Sequence, residues 1–299
     1  MDKIIETAQL MINEIDPEFD MDKVKVLGTG FGSIVIEGNE EIIYRIARNV
    51  ETAKQYEKEV EILPIITNDL DINIPIPIWY KINTPSVPSG IMAYKKIKGY
   101  SMSNELSEGN KTKLAKEIAG FMIDLHQIPI ENLIMNKNLK NKYDRESLTM
   151  LRKNTIEVLE HQLSEEEHRT IKIWWDDVLS DHTLFNYQPI LCHGDMWYEN
   201  ILVNENQSSV VGVIDFSNMM IGDPAIDLAP QLYLGHEFYE RVLKEYTNVF
   251  GNEKEIRKRV HFHMKIRELS GLQYVIHNQL FDEYYDSISK IKNIFKSSG

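Results

Sequence analysis

A single cysteine, Cys192, stands among 299 residues, so no disulfide can close within the chain. No apolar run approaches the roughly 20 residues that a membrane-spanning helix needs. The opening MDKIIETAQL carries acids where a signal peptide would have a long apolar core. Positive charge is also short: 33 Lys and Arg against 46 Asp and Glu leave a net charge of −13. That balance argues against a nucleic-acid binder, whose phosphate contacts demand Lys and Arg. It suits a cationic small ligand. These absences lead us to expect a cytoplasmic chain with neither nucleic acid nor membrane as partner.

Apolar residues make up 42% of the chain, enough for two lobes or one large domain. Residues 3–15 place Ile4, Ile5, Ala8, Leu10, Met11, Ile12 and Ile15 near helical spacing. The stretch VKVLGTGFGSIVIEGNEEIIYRIA then predicts strand, glycine turn, strand, hairpin and strand. A helix over 51–63 follows, bounded by Pro64, with strands near 77–82 and 90–95. From 107 to 180 the pattern is helical, LFNYQPILCHGD returns to extended structure, and helix resumes after 223. A β-rich first third thus precedes a helical remainder with one short β insert. That order excludes a doubly wound parallel sheet, in which strands and helices alternate throughout.

GTGFGS places Gly28, Gly30 and Gly32 between two predicted strands. A dinucleotide fingerprint needs a helix after its glycines, and a Walker loop needs Gly-Lys-Ser/Thr; neither is here. A glycine-rich flap over nucleotide phosphates is the functional alternative to a plain hairpin. Arg45 on the third strand could reach the phosphates, given an acid to hold it. The helix over 51–63 offers Glu57, Glu59 and Glu61, of which Glu59 lies nearest the Tyr56–Val60–Leu63 face.

The densest chemistry is in LCHGDMWYENILVNENQSSVVGVIDFSN, residues 191–218. Asp195 precedes Asn200 by five positions, and Asp215 ends an apolar strand. Mg²⁺ prefers oxygen ligands and takes one or two side chains plus substrate phosphates. Asn200 and Asp215 could supply those ligands, while Asp195 accepts a proton from an attacking hydroxyl. This is the Asp-x-x-x-x-Asn loop and following metal Asp of kinase-type phosphoryl transfer. Each residue alone could be a turn cap; the order and spacing of all three favour catalysis. His193 is better suited to holding the loop than to moving a proton.

HGDMWYENIL, GVIDFSN and GDPAIDLA resemble the aminoglycoside phosphotransferase family, which shares the protein kinase-like fold. The resemblance implies an α+β, bilobal kinase-like architecture, with a β-rich N-terminal lobe and a mostly helical C-terminal lobe. We expect an N-terminal nucleotide-binding lobe over 1–91, a hinge over 92–98 and a catalytic, substrate-binding lobe over 99–299. The resemblance makes Asp195 the base and Asn200 and Asp215 the Mg²⁺ ligands. It assigns the nucleotide ring, from ATP or GTP, to the backbone at Met92, Ala93 and Tyr94. Asp227 braces the catalytic loop. Where the family often has Lys, this chain has Arg45, bulkier and differently hydrated.

The resemblance further implies transfer to a hydroxyl of a small molecule. Trp197, Tyr198 and Glu199 follow the base, and Glu237, Glu240, Glu268, Asp282 and Glu283 lie downstream. Together with the −13 charge, these favour an aminoglycoside, with Trp197, Tyr198, Glu199, Glu237 and Glu268 as candidate contacts. Macrolides, choline or ethanolamine, and methylthioribose are the alternatives; choline would want an aromatic cage, for which Trp197, Tyr198, Tyr284 and Tyr285 are available. A catalytically dead nucleotide-binding module is disfavoured by retention of Asp195, Asn200 and Asp215. A protein kinase is disfavoured by the missing Arg-Asp and Ala-Pro-Glu sequences.

Overall fold

The computed structural model describes residues 10–13, 15–17, 24–29, 32–81, 90–131, 133 and 139–296. Strands β1 (Val24–Thr29), β2 (Ser33–Gly38), β3 (Ile42–Ala47), β4 (Pro77–Lys81) and β5 (Ile91–Lys95) form one antiparallel sheet in the order β1-β2-β3-β5-β4. Glu41 N–H closes on Gly38 C=O across Asn39 and Glu40, whose φ values are 51° and 60°. Positive φ at both central residues makes this a type I′ turn, whose twist matches the strands it joins. Of the expected helix over 3–15, residues 10–13 are helical and most of the rest lies outside the described residues.

Period-two alternation divides the sheet's side chains between its faces. Ile36, Tyr44, Ile46, Ile91 and Ala93 pack with Met11 and Ile12 on one face. Ile43, Ala47, Met92 and Tyr94 pack on the other, against Ala53 and Tyr56 of α1 (Val50–Ile66). Arg45 has the parity of Ile43 and Ala47, so it too points at α1. Asn49 caps that helix by accepting from Thr52 N–H at 2.8 Å. Pro64 does not end α1, which continues to Ile66. Proline deletes one bond to the preceding turn, a small loss so close to a helix terminus. The last turns of α1, at Ile62, Leu63 and Ile66, enter the core of the second lobe.

That lobe contains α2 (Glu108–Gln127), α3 (Arg145–Leu159), α4 (Glu165–Ser180), the short α5 (Ala225–Leu228), α6 (His236–Phe250), α7 (Glu253–His277) and α8 (Phe281–Lys296). Helices α2 and α6 share the main core with Leu191, Ile201, Val203 and Val213. A second core joins α3, α4, α7 and α8 around the fully buried Trp175. Short strands lie on this helical body. β6 (Tyr100–Ser101), β8 (Ile201–Val203) and β9 (Val210–Val213) form one sheet, and β7 (Ile190–Cys192) pairs with β10 (Met220–Gly222). The architecture is the bilobal, kinase-like α+β fold. Strand β5 runs through Lys95, so the first half of the expected 92–98 hinge is strand; residues 96–99 carry no regular structure on the way to β6. Among the described residues, no helix is long and apolar enough to cross a membrane.

Candidate active site

Strand register brings Asn200 and Asp215 together. Ile201 of β8 lies opposite Val213 of β9. Asn200 precedes one strand and Asp215 follows the other, and Ile214 N–H donates to Asn200 C=O at 2.9 Å between them. Asp215 takes the left-handed conformation, φ 64° and ψ 66°, which a non-glycine residue adopts at a cost. Its carboxylate is 45% exposed.

Arg45 reaches this carboxylate from the other lobe. Its Nη1 donates to both Glu59 oxygens at 2.9 and 3.0 Å, and its Nη2 to Asp215 Oδ1 at 3.0 Å and Ser217 Oγ at 2.7 Å. Ser217 Oγ donates in turn to Asp215 Oδ1 at 2.6 Å. Tyr56 lies under the guanidinium, 5.0 Å from ring centroid to Cζ. Burial favours a neutral guanidinium, but Glu59 and Asp215 hold Arg45 well above its ordinary value. Burial pushes the Glu59 carboxyl up, with Arg45 opposing. Desolvation acts the same way on Asp215, yet Arg45, Ser217 and His193 hold it below the ordinary carboxylate range. Both terminal nitrogens of Arg45 thus donate into the cross-lobe cluster, which makes Arg45 its hub.

Lys58, one residue before Glu59, is 2% exposed and donates to Ser217 C=O and Met219 C=O, both at 2.7 Å. Burial, and then Lys142, pushes its ammonium down to about 7. A neutral amine still has two N–H groups for those carbonyls. Lys58 and Ser217 were not singled out in the sequence. Helical spacing could have flagged Lys58, but a lysine on a buried face has no signature before its carbonyl partners are known.

The catalytic loop hangs on Asp227. Its Oδ2 accepts from His193 N–H at 2.8 Å and its Oδ1 from Gly194 N–H at 2.7 Å. His126 Nε2 bonds Asp227 Oδ2 at 3.0 Å, and His126 Nδ1 bonds Tyr246 Oη at 2.8 Å. Complete burial pushes Asp227 up, but His126 first, then His193 and the backbone donor, hold it below its ordinary value. His193 is fully buried; its Nε2–H donates to Ile214 C=O at 3.1 Å and its Nδ1 accepts from Asp195 N–H at 3.2 Å. Gly194 has φ +82°, and a Cβ there would fall 2.2 Å from Asn218 C=O. Only glycine permits that approach. Cys192 is buried, and burial pushes its thiol up, so it is an unreactive packing residue.

Asn200 Nδ2 donates to Asp195 C=O at 3.0 Å, which leaves its amide oxygen for a ligand. Asp195 Oδ1 accepts from Arg267 Nη1 of α7 at 2.7 Å, and no hydrogen bond among the described residues goes to Oδ2. Arg267, 72 residues downstream, was invisible to motif reading. Its Cζ lies 5.1 Å from the Trp197 ring and 6.0 Å from that of Tyr233. A carboxylate and an amide oxygen are the hard donors Mg²⁺ prefers, so Asp215 and Asn200 fit that ion.

Other expected contacts fall elsewhere. Met92 and Ala93 are completely buried, and β5 pairs with β3 on one side and β4 on the other. Their backbone groups belong to two ladders, and the same ladders take Tyr94, so residues 92–94 do not offer a free edge to a nucleotide ring. Gly28 lies on β1 where a Cβ would meet open space, whereas Gly32 is needed for packing: a Cβ there would lie 2.8 Å from Thr52 Oγ1. Gly30 is outside the described residues. Glu237 pairs with Arg241 within α6, and Glu240 with Arg257. Glu268 feels Lys290 and Asp286 of α8, and burial pushes its carboxyl up. Glu199 is exposed. Trp197 and Tyr198 lie within the 193–200 loop with their rings tilted at 35° and centroids 4.5 Å apart, while Tyr284 and Tyr285 line an apolar cavity with Val275 and Phe281. No aromatic cage is formed by those four.

A sequence profile of the phosphotransferase enzyme family, APH, matches residues 23–262. The chain belongs to that family. Solved structures share its fold throughout. The GDP and kanamycin complex of APH(2")-IIIa superposes with a TM-score of 0.88 at 21% identity, covering 98% of this chain and 99% of the other. The streptomycin–ATP ternary complex of APH(2")-IIa gives 0.71 at 23% identity, covering 98% and 97%. Macrolide 2'-phosphotransferase MphH from Brachybacterium faecium gives 0.69 at 15% identity, covering 97% of each.

The hub of this phosphotransferase has a measurable signature. Arg45→Ala and Glu59→Ala are each expected to raise the nucleotide KM. The double variant should be less than additive, because contacting residues couple by about 0.5–3 kcal/mol. Nucleotide titrations of the four proteins test this; strict additivity would separate the two residues.

Proposed function

We propose that this phosphotransferase moves the γ-phosphate of ATP or GTP to a hydroxyl of an aminoglycoside. One observation carries the chemistry: Oδ2 of Asp195, which takes no hydrogen bond from the described residues, stands on the loop that also presents Asn200, while the β8–β9 register sets Asp215 beside that loop and Arg45 ties it to Glu59. In this reading Asp195 takes the hydroxyl proton. Asn200 and Asp215 would hold Mg²⁺, which when bound neutralises phosphate charge. Arg45 keeps the two lobes in register instead of touching the phosphates. The nucleotide lies between an N-terminal and a C-terminal lobe, with its ring near the irregular stretch after Lys95. Asp227 and His193 hold the catalytic loop in place. A donor of this kind suits the cytoplasm.

The acceptor rests on three supports. Family membership implies a small-molecule kinase, solved relatives of the same fold hold kanamycin or streptomycin, and the chain carries a net charge of −13. A polycation held by several acids should bind less tightly as salt rises, since the Debye length falls from about 10 Å at 0.1 M to about 3 Å at 1 M. The test is the acceptor KM across a salt series with Mg²⁺ and nucleotide saturating. The aminoglycoside KM is expected to climb steeply, and that of a macrolide, with one amine, to climb little. A flat aminoglycoside series, or transfer to a macrolide or choline alone, would replace the acceptor and leave the kinase mechanism standing.

A further inference from the structure

The cleft gathers acids, and a nucleoside triphosphate brings more negative charge to it. Asp195 stands on the catalytic loop and Glu199 is exposed later in the same loop. Glu51 is exposed at the start of α1, and Glu146 lines a cavity with Lys142 between α3 and α7. Most of the cations nearby are already committed. Arg45 is bound to Glu59, Asp215 and Ser217, Lys58 to two carbonyls, and Arg267 to Asp195. Lys54 pairs with Glu51 at 3.6 Å, and Arg145 donates to Leu179 C=O at 2.8 Å.

Lys142 differs from all of these. It is exposed just ahead of α3, and the hydrogen bond its ammonium makes among the described residues goes to a neutral acceptor, Asn218 Oδ1, at 2.9 Å. No carboxylate among the described residues pairs with it; Glu51 and Asp195 act on it through their charge alone. An ammonium has three N–H donors, so two remain for a ligand.

Its position is as telling as its lack of an acid partner. Asn218 ends the short turn after Asp215, and its C=O lies so close to Gly194 that a Cβ there would fall 2.2 Å away. Lys142 therefore sits at the seam between the turn that carries Asp215 and the loop that carries Asp195. Its nearness to Glu51 brings in the start of α1, which is joined to the glycine turn through Arg48 N–H and Gly32 C=O at 2.8 Å. The group that must lie between an acceptor hydroxyl at Asp195 and a nucleotide held at Asn200 and Asp215 is the γ-phosphate.

We propose that Lys142 is a phosphate-binding residue of the transfer reaction: its ammonium, held at the seam by Asn218, donates to the γ-phosphate of the bound triphosphate. A lysine acts there as a compact point charge, and its bonds to phosphate oxygens are stronger than its bond to an amide. This role rests on the nucleotide placement proposed above and is independent of which acceptor is used.

Calorimetry of the full chain with Mg²⁺ and without acceptor tests it. The ligands are the β,γ-imido analogues of ATP and GTP, set against ADP and GDP, and the proteins are native, Lys142→Met and Asp215→Asn. Lys142→Met should bind the triphosphate analogue about tenfold more weakly, the scale of one lost hydrogen bond to a charged group. Its diphosphate affinity should stay within about twofold of native, as for an exposed substitution away from the ligand, and that binding also reports that the variant is folded. Equal loss for both nucleotides, or no loss for either, overturns the assignment. Asp215→Asn separates the two levels of the reading. If it loses Mg²⁺-dependent binding while Lys142→Met binds the triphosphate normally, only the role of Lys142 fails. If neither substitution changes binding, the nucleotide placement fails and the role of Lys142 falls with it.

Discussion

Asp195→Asn is expected to lower phosphate transfer by roughly 10²–10⁴-fold, the range for removing a general acid–base group. Asparagine is the informative substitution because its amide oxygen can still accept from Arg267, which bonds Oδ1 at 2.7 Å. The backbone bonds that shape the loop, from Asp195 N–H to His193 and from Asn200 to Asp195 C=O, do not involve the carboxylate. Geometry therefore survives while proton acceptance is lost. Nucleotide affinity, read by calorimetry without acceptor, should stay within a few-fold of the native value. Near-normal turnover in the variant would remove Asp195 from the role of base.

Asp215→Asn should have the other large effect, on a different step. In the proposed mechanism Asp215 would supply a negative charge to Mg²⁺, and its carboxylate accepts from Arg45 and Ser217. The amide keeps the shape and one acceptor oxygen, but not the charge. Mg²⁺-dependent nucleotide binding and transfer should both collapse, whereas metal-free nucleotide binding should change little. Removing one partner from a buried ion pair costs about 3–5 kcal/mol. Asp215 is half exposed and Glu59 still pairs with Arg45, so the stability loss here should be well below that. Unchanged Mg²⁺–nucleotide binding by calorimetry would make Asp215 structural.

The two variants divide the site as the structure does. Asp195 belongs to a loop braced from within the second lobe by Asp227, His126 and Tyr246. Asp215 belongs to a cluster that crosses to the first lobe through Arg45 and Glu59. Lys58 carries that crossing further by donating to the backbone on either side of Asn218. Helix α1 is rooted in both lobes, so a shift of α1 must be felt at Asp215.

Local pattern was enough for much of this protein. The period-two strands around GTGFGS, the glycine-poor helical runs after 107 and the Asp195–Asn200–Asp215 spacing each express a preference that operates within a few residues. The choice of Glu59 over Glu57 and Glu61 also came from helical geometry, and the pairing with Arg45 follows from strand parity. Pro64 misled because proline is a local signal whose cost depends on how many turns remain to be broken. The expected strand near 90–95 matches β5, which ends at Lys95 and overlaps the first half of the expected 92–98 hinge.

What tertiary structure alone decided is whatever depends on distant partners. Ser217 is central because Arg45 arrives from 172 positions away, and Asp195 is charge-paired because α7 places Arg267 there. Acids counted along the chain favoured a polycationic acceptor, yet a side chain's charge matters only with the partner that neutralises it. Glu237 and Glu240 meet arginines and Asp195 meets Arg267, so the total of −13 fixes the far field while individual contacts fix the near field.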